Sequence, residues 1–339
     1  MTGLSRQKAA EAVASLFGTT ACHSNSSRTY DPWEITDNEG KIWRFVYDSS
    51  IHATHQVGRQ QIPIDDGTYK VEMNSPKLEY REMGKLQEIV RILRHAGAVV
   101  NQSCGMHVHV DASKHTPQSL KNALSIMYSK EDILFKALNV NESRVQRWCR
   151  KIREPMLEKI RKLPKNTTMD RLKQEWYGGA DGSSEHYNWT RYHALNLHSV
   201  FYRGTLEWRC FESTLHAGKV RANITLALAI SAQAINQSRT VMRKTEISEN
   251  PAFTFRTFLL RLARNTRMCV SICSQIFPAT GLGDMIKLNM PACRIAETKN
   301  DRGDRNQRKA LFCIWLQHES ESDGLPLSRR RGGGACSSG

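Results

Sequence analysis

Between Leu4 and Phe17 the apolar residues Ala9, Ala12, Val13 and Leu16 fall on one side of a 3.6-residue repeat, so the spacing predicts a helix close to the start of the chain. Gly18 and the polar run at 24–28 end it. Residues 41–47 mix aromatic and β-branched types (Trp43, Phe45, Val46, Tyr47) behind the turn signal Asp37-Asn38-Glu39-Gly40, and residues 68–73 alternate in the same way; both read as strands. From Met83 the apolar positions Leu86, Val90 and Leu93 recur at helical intervals until Gly97, and residues 106–111 then return to alternation. A strand–helix–strand unit results. Thr116-Pro117 opens the next helix, with Leu120, Leu124 and Met127 as its stripe, and helical patterns continue to about Leu163. A glycine- and serine-rich loop at 178–184 precedes two predicted strands, 192–198 and 204–211. The long helix after them buries Val220, Ile224, Leu228, Ser231 and Ile235.

This order of elements predicts an α+β fold, a mainly antiparallel sheet with helices on one face. Three regions are expected: 1–245 as the main domain, 246–325 as a helical C-terminal region, and 326–339 as a disordered basic and glycine-rich tail around Arg329-Arg330-Arg331-Gly332-Gly333-Gly334.

Composition narrows the class. At 40% hydrophobic and 24% charged residues the chain can bury a sizeable core. Its most apolar stretch, 222–236, is interrupted by Thr225, Ser231 and Gln233, short of the roughly 18 apolar residues of a membrane span. The N-terminus lacks the layout of a secretory signal, and the expected location is cytoplasmic, with no membrane partner. Nine scattered cysteines without a C-x-x-C pair indicate reduced thiols rather than a disulfide framework or zinc knuckle. A net charge of +16 calls for an anionic partner without saying which.

The chemistry concentrates on four strands, where residues two apart share a face. One face of the second strand holds Lys70, Glu72 and Asn74. In Met106-His107-Val108-His109-Val110-Asp111 it holds His107, His109 and Asp111, and in Thr205-Leu206-Glu207-Trp208-Arg209 it holds Thr205, Glu207 and Arg209. The remaining strand places Tyr192, Asn196 and His198 together. Solvated faces favour lysine, threonine and glutamine, whereas carboxylate, imidazole, amide and guanidinium are the groups that hold metals and phosphates. Four such faces on one sheet would line one cleft suited to phosphoryl transfer. Glu72 and Glu207 offer oxygens to Mg2+, Arg191 and Arg209 offer forks to phosphate or carboxylate, and His107 and His109 could divide metal and phosphate contacts.

In this order, Val71-Glu72-x-x-Ser75-Pro76, Ser103-Cys104-Gly105-Met106-His107-Val108-His109-Val110-Asp111, Arg191-Tyr192-x-x-x-Asn196 and Thr205-Leu206-Glu207-Trp208-Arg209-x-Phe211 resemble the amidoligases of the glutamine synthetase and glutamate–cysteine ligase superfamily. With 28–33 and 43–50 added, the likeness runs over roughly residues 1–240. It implies a glutamine-synthetase-like fold and an ATP- and Mg2+-dependent carboxylate–amine ligase, with Mn2+ as an alternative ion. Glu72, His107 and Glu207 would bind metal, His109 and Arg191 would contact the nucleotide, and Arg209, Arg191 and Asn196 would serve the reaction. Small-molecule or peptide carboxylates and amines are the implied substrates.

Family members open with a strand carrying two glutamates spaced by one residue, just ahead of the helix that starts here near Leu4. This sequence has none, which implies a lost central strand, an open sheet edge and two fewer metal ligands. A rival reading keeps the ligase fold without catalysis, binding nucleic acid or another anion through the basic run at 144–165. A zinc hydrolase built on His107 and His109 lacks an H-E-x-x-H helix and a third ligand. Cys104 has no base partner, and Asp111 is expected to cap the turn that follows it.

Overall fold

The computed structural model describes residues 1–238 and 243–263, and the backbone of 311–316. In chain order its elements are α1 (Arg6–Phe17), β1 (Cys22–His23), β2 (Trp33–Thr36), β3 (Ile42–Tyr47), β4 (Thr54–Val57), β5 (Gln60–Pro63), β6 (Val71–Asn74), β7 (Leu78–Glu79), α2 (Met83–His95) and β8 (Gly105–Asp111). There follow α3 (Pro117–Leu138), α4 (Glu142–Arg147), α5 (Glu154–Lys162), α6 (Met169–Tyr177), β9 (Leu195–Asn196), α7 (His198–Arg203), β10 (Thr205–Glu212), α8 (Ala217–Asn236), α9 (Pro251–Ala263) and β11 (Leu311–Leu316).

The fold is α+β, and every strand ladder among the described residues is antiparallel. The main sheet runs β1-β2-β3-β6-β11-β8-β10-β9, with β7 beside β11, and β4 and β5 form a separate hairpin. Because β6 and β8 each run antiparallel to β11, they are parallel to each other, and α2 is the crossover between them.

Local chemistry sets the helix ends. α1 starts two residues later than its hydrophobic pattern predicts, because the Ser5 hydroxyl accepts the Lys8 N–H at 3.2 Å and caps it, while Gly18 closes it at a φ of 63°. Its buried side is Ala9, Ala10, Val13 and Ala14, and Leu16 stays exposed. Thr116 and Ser119 cap α3 reciprocally. The helical stretch predicted to about Leu163 is three helices, α3 to α5, since Asn139 turns left-handed after α3. The second strand begins at Val71 rather than Thr68, because Asp66 caps a 3-10 turn over Gly67–Tyr69.

One hydrophobic core joins the helix layer to one face of the sheet: Ala10, Val13, Leu86, Ile89 and Ile224 lie with Trp43, Phe45, Met73, Val108 and Trp208. Alternation therefore sends Glu72, His107, His109 and Glu207 to the opposite face. α9 packs on α3 and α8.

β11 stands between β6 and β8 in the sheet and pairs with both. Residues 246–325 thus contribute a helix and also a strand; the tail at 326–339 lies outside the described residues. No described helix is long and apolar enough to cross a membrane.

Candidate active site

β8 and β10 bring four of the predicted residues together by register alone. Glu207 lies opposite His109 on one side and opposite Asn196 of β9 on the other. A one-residue bulge follows Trp208, so that Cys210 and Phe211 both turn into the core while Arg209 stays on the face of Glu207. The result is a tight polar cluster. Glu207 Oε1 accepts from Arg209 Nη1 at 2.8 Å and Oε2 accepts from Asn196 Nδ2 at 2.5 Å. His107 Nδ1 and His109 Nε2 stand 3.3 and 3.5 Å from Glu207 Oε1. Thr205 Oγ1 lies 2.9 Å from His109 Nδ1, which orients the ring.

Arg209 is fixed further by Nε donating to the Trp148 carbonyl at 3.2 Å and by the Tyr192 ring, 5.8 Å from its guanidinium. Arg191 donates to the His186 carbonyl at 2.9 Å and lies over Tyr187 and Tyr192. All seven predicted site residues are at most 6% exposed, Arg191 the most accessible. The cluster is roofed by the segment from 186 to 203.

That roof corrects one prediction. The strand expected over 192–198 is only Leu195–Asn196, because Asn188 caps a 3-10 turn that ends at Tyr192 and α7 begins at His198. Tyr192 and His198 do not alternate with Asn196. His198 instead stacks on Tyr202 and meets the Tyr177 hydroxyl at 2.6 Å.

Glu72 belongs to a second centre. With β11 and β8 between β6 and β10, strand spacing separates its backbone from that of Glu207 by about 14 Å. Its neighbours are Asn74, the ammonium of Met1, and two groups that the sequence reading passed over, Asp48 and Arg203. Burial first, and then the charge of Asp48, raise the Glu72 carboxyl well above its ordinary range. Arg203 bears on both Glu72 and Glu207 and so links the two centres; its Nη2 donates to His186 Nε2 at 2.9 Å. Nothing in periodicity marked Asp48 or Arg203, since one lies in a turn and the other ends a short helix.

Glu207 behaves in the opposite way. Burial works against its charge, but Arg209 overrides it and holds the carboxylate well below the usual range. Burial pushes His107 well below its ordinary value and His109 down to about 4. Both imidazoles are therefore neutral at physiological pH and keep a lone pair for a cation or a proton for a phosphate.

These shifts carry a stability prediction. His109, His115, His186 and His198 are all lowered by burial to about 4, below their value in the unfolded chain. Between about pH 6.5 and 4 the unfolded state binds more protons, so stability present above that window is lost as pH falls through it, by about 1.4 kcal/mol per pH unit for each proton taken up. Urea midpoints measured from pH 7 to 4 should fall steeply; a flat profile would contradict the buried neutral imidazoles.

Among the described residues, no group of three or more histidine, cysteine, aspartate or glutamate side chains is arranged to hold a metal ion. Glu72, His107 and Glu207 accordingly divide into a Glu72–Asp48 pair and a His107–His109–Glu207 cluster. Asp111 caps its own turn, accepting from Ser113 N at 3.0 Å, and Cys104 is buried beside Asn101. Arg144, the first residue of the basic run, is buried against Glu212 rather than solvated.

A family model described as Putative amidoligase enzyme matches residues 1–231. The chain belongs to this amidoligase family. No curated protein and no solved structure matches it. The amidoligase region so defined takes in both centres and ends within α8, well before β11.

Proposed function

We propose that this amidoligase is an ATP- and Mg2+-dependent carboxylate–amine ligase with a glutamine-synthetase-like site, joining its substrates through an acyl phosphate. The observation that carries the reading is Glu207, set among His107, His109, Asn196 and Arg209 on the sheet face away from the helices, in a chain of this family.

The donor chemistry fits a divalent cation. Neighbouring ligands in an octahedral shell lie about 3 Å apart, close to the spacing of His107 Nδ1 and Glu207 Oε1. Glu72 beside Asp48 is a pair of carboxylates whose mutual repulsion a cation relieves. When bound, Mg2+ or Mn2+ would neutralise phosphate charge. Glu72 would hold such an ion at one centre and His107 with Glu207 would hold one at the other, His109 and Arg191 would contact the nucleotide phosphates, and Arg203, which bears on both centres, would join them.

In the reaction, a substrate carboxylate oxygen attacks the γ-phosphorus and ADP leaves with the bonding pair. The amine then attacks the acyl carbon, loses a proton, and phosphate departs. Arg191 and Arg203 stabilise the growing negative charge, Arg209 and Asn196 keep Glu207 in place, and the roof excludes water. No covalent enzyme intermediate is needed. The test is thermal: ATP with Mg2+ should raise the midpoint by mass action, Glu207→Ala should abolish most of that shift, and Cys104→Ser should leave it intact. No shift with any nucleotide would overturn the reading.

One observation favours a second reading, a non-catalytic protein that binds nucleic acid or another polyanion. Lys159, Lys162 and Arg171 border a groove of about 660 Å3 formed by α5, α6 and the loop between them. Steeply salt-dependent nucleic-acid binding without ATP turnover would support it.

A further inference from the structure

β6 and β8 carry the two halves of the candidate site, Glu72 on one and His107 with His109 on the other, and they do not touch each other in the sheet. The strand that joins them is β11. Its backbone sets Trp315 opposite both Asn74 and His107, Cys313 opposite His109, and Leu316 opposite Met73. Yet β11 lies outside the matched amidoligase region, and the last described residue before it, Ala263, ends a helix on the far side of the core.

The start of the chain enters the same slot in line with β11. Met1 and Val71 exchange backbone hydrogen bonds, the Met1 ammonium donating to the Val71 carbonyl at 2.8 Å and the Val71 N–H to the Met1 carbonyl at 3.1 Å. Thr2 pairs likewise with Val99. Leu316 faces Met73 and Met1 faces Val71, so the two segments run in the same direction along one strand position, with Glu72 between the two pairings. Met1 is 1% exposed and its backbone nitrogen bears on Glu72.

A slot flanked by two strands with their N–H and C=O groups facing into it must be filled, since each buried group left without a partner costs roughly 1–3 kcal/mol. The run Leu311-Phe312-Cys313-Ile314-Trp315-Leu316 has the composition of a central strand covered on both faces.

We propose that the slot between β6 and β8 is a strand-docking site, that residues 311–316 of the same chain are its occupant, and that their docking assembles the two halves of the site into one sheet. The C-terminal region is thereby a working part of the catalytic sheet. Only the catalytic consequence rests on the ligase reading; the docking itself does not.

Hydrogen exchange on the full chain tests it without nucleotide. Amides of 312–315 should be protected within about tenfold of those of β10, and exchange at loop rates would overturn the proposal. In the full chain carrying Val108→Cys and Ile314→Cys, whose backbones lie opposite each other, oxidation should yield a disulfide within one molecule by peptide mapping. No disulfide, or one between two molecules, would equally overturn it. Cys313→Pro with Ile314→Pro removes one ladder hydrogen bond to each neighbour, because successive N–H groups point to opposite sides. This variant should speed exchange at 107–110 at least a hundredfold while α1 and α3 remain protected; unchanged protection at 107–110 would contradict the docking. If docking holds and no nucleotide shift occurs in the unaltered chain, the ligase reading alone fails.

Discussion

Glu207→Ala is expected to lower the stability of the protein by about 3–5 kcal/mol, the cost of removing one partner from a buried ion pair. The carboxylate accepts from Arg209 and Asn196 and has two imidazoles within 3.5 Å, all on residues at most 3% exposed. Alanine leaves the Arg209 guanidinium without its carboxylate in a place water does not reach. Urea unfolding gives the value directly, through a lower midpoint with an unchanged slope. A loss below about 1 kcal/mol would mean that solvent screens the pair, as it does on a surface, and that the roof over the cluster is open.

Glu72→Gln should act with the opposite sign. The Glu72 carboxyl is raised well above its unfolded value by burial and by Asp48. Its contribution is complete below the ordinary carboxylate range and is lost as pH climbs through the raised value. Glutamine cannot ionise, so the variant should be the more stable protein at neutral and alkaline pH when divalent cations are removed by chelation, with a margin that widens as pH rises. With Mg2+ and ATP the order should reverse. At a hundredfold excess over its Kd a ligand stabilises the folded state by about 2.7 kcal/mol, and the variant should forfeit that gain. Melting curves at three pH values, with chelator and with Mg2+ and ATP, test both halves. A variant less stable than the parent under chelation at every pH would show that Glu72 is held ionised.

Alternation made much of the site legible. His107, His109, Glu207 and Arg209 share a face because successive strand residues point opposite ways, and Val108, Leu206 and Trp208 take the core as the same rule requires. Periodicity also located α1, α2, α3 and α8. It failed where hydrogen bonds to side chains outweighed the strand pattern, as at Asn188, which ends the extended run before Asn196. Two features had no local signal. Asp48 and Arg203 act through position in space, and β11 is a short apolar run whose meaning comes only from the slot it fills, far away in sequence. The division of the proposed ligands into two centres has the same origin, since no spacing along the chain shows that a strand from 311–316 stands between Glu72 and His107.

The most direct test of the ligase assignment follows an oxygen atom. A carboxylate and amine pair is found by screening peptides, polyamines and cell-wall fragments for ADP release, and the carboxylate partner is labelled with oxygen-18 in its carboxyl group and turned over with ATP, Mg2+ and the amine. An acyl phosphate requires the attacking carboxylate oxygen to leave on phosphate, so one labelled oxygen should appear in the released phosphate for each amide formed, with ADP as the other product. Unlabelled phosphate, or AMP and pyrophosphate in place of ADP, would contradict the account.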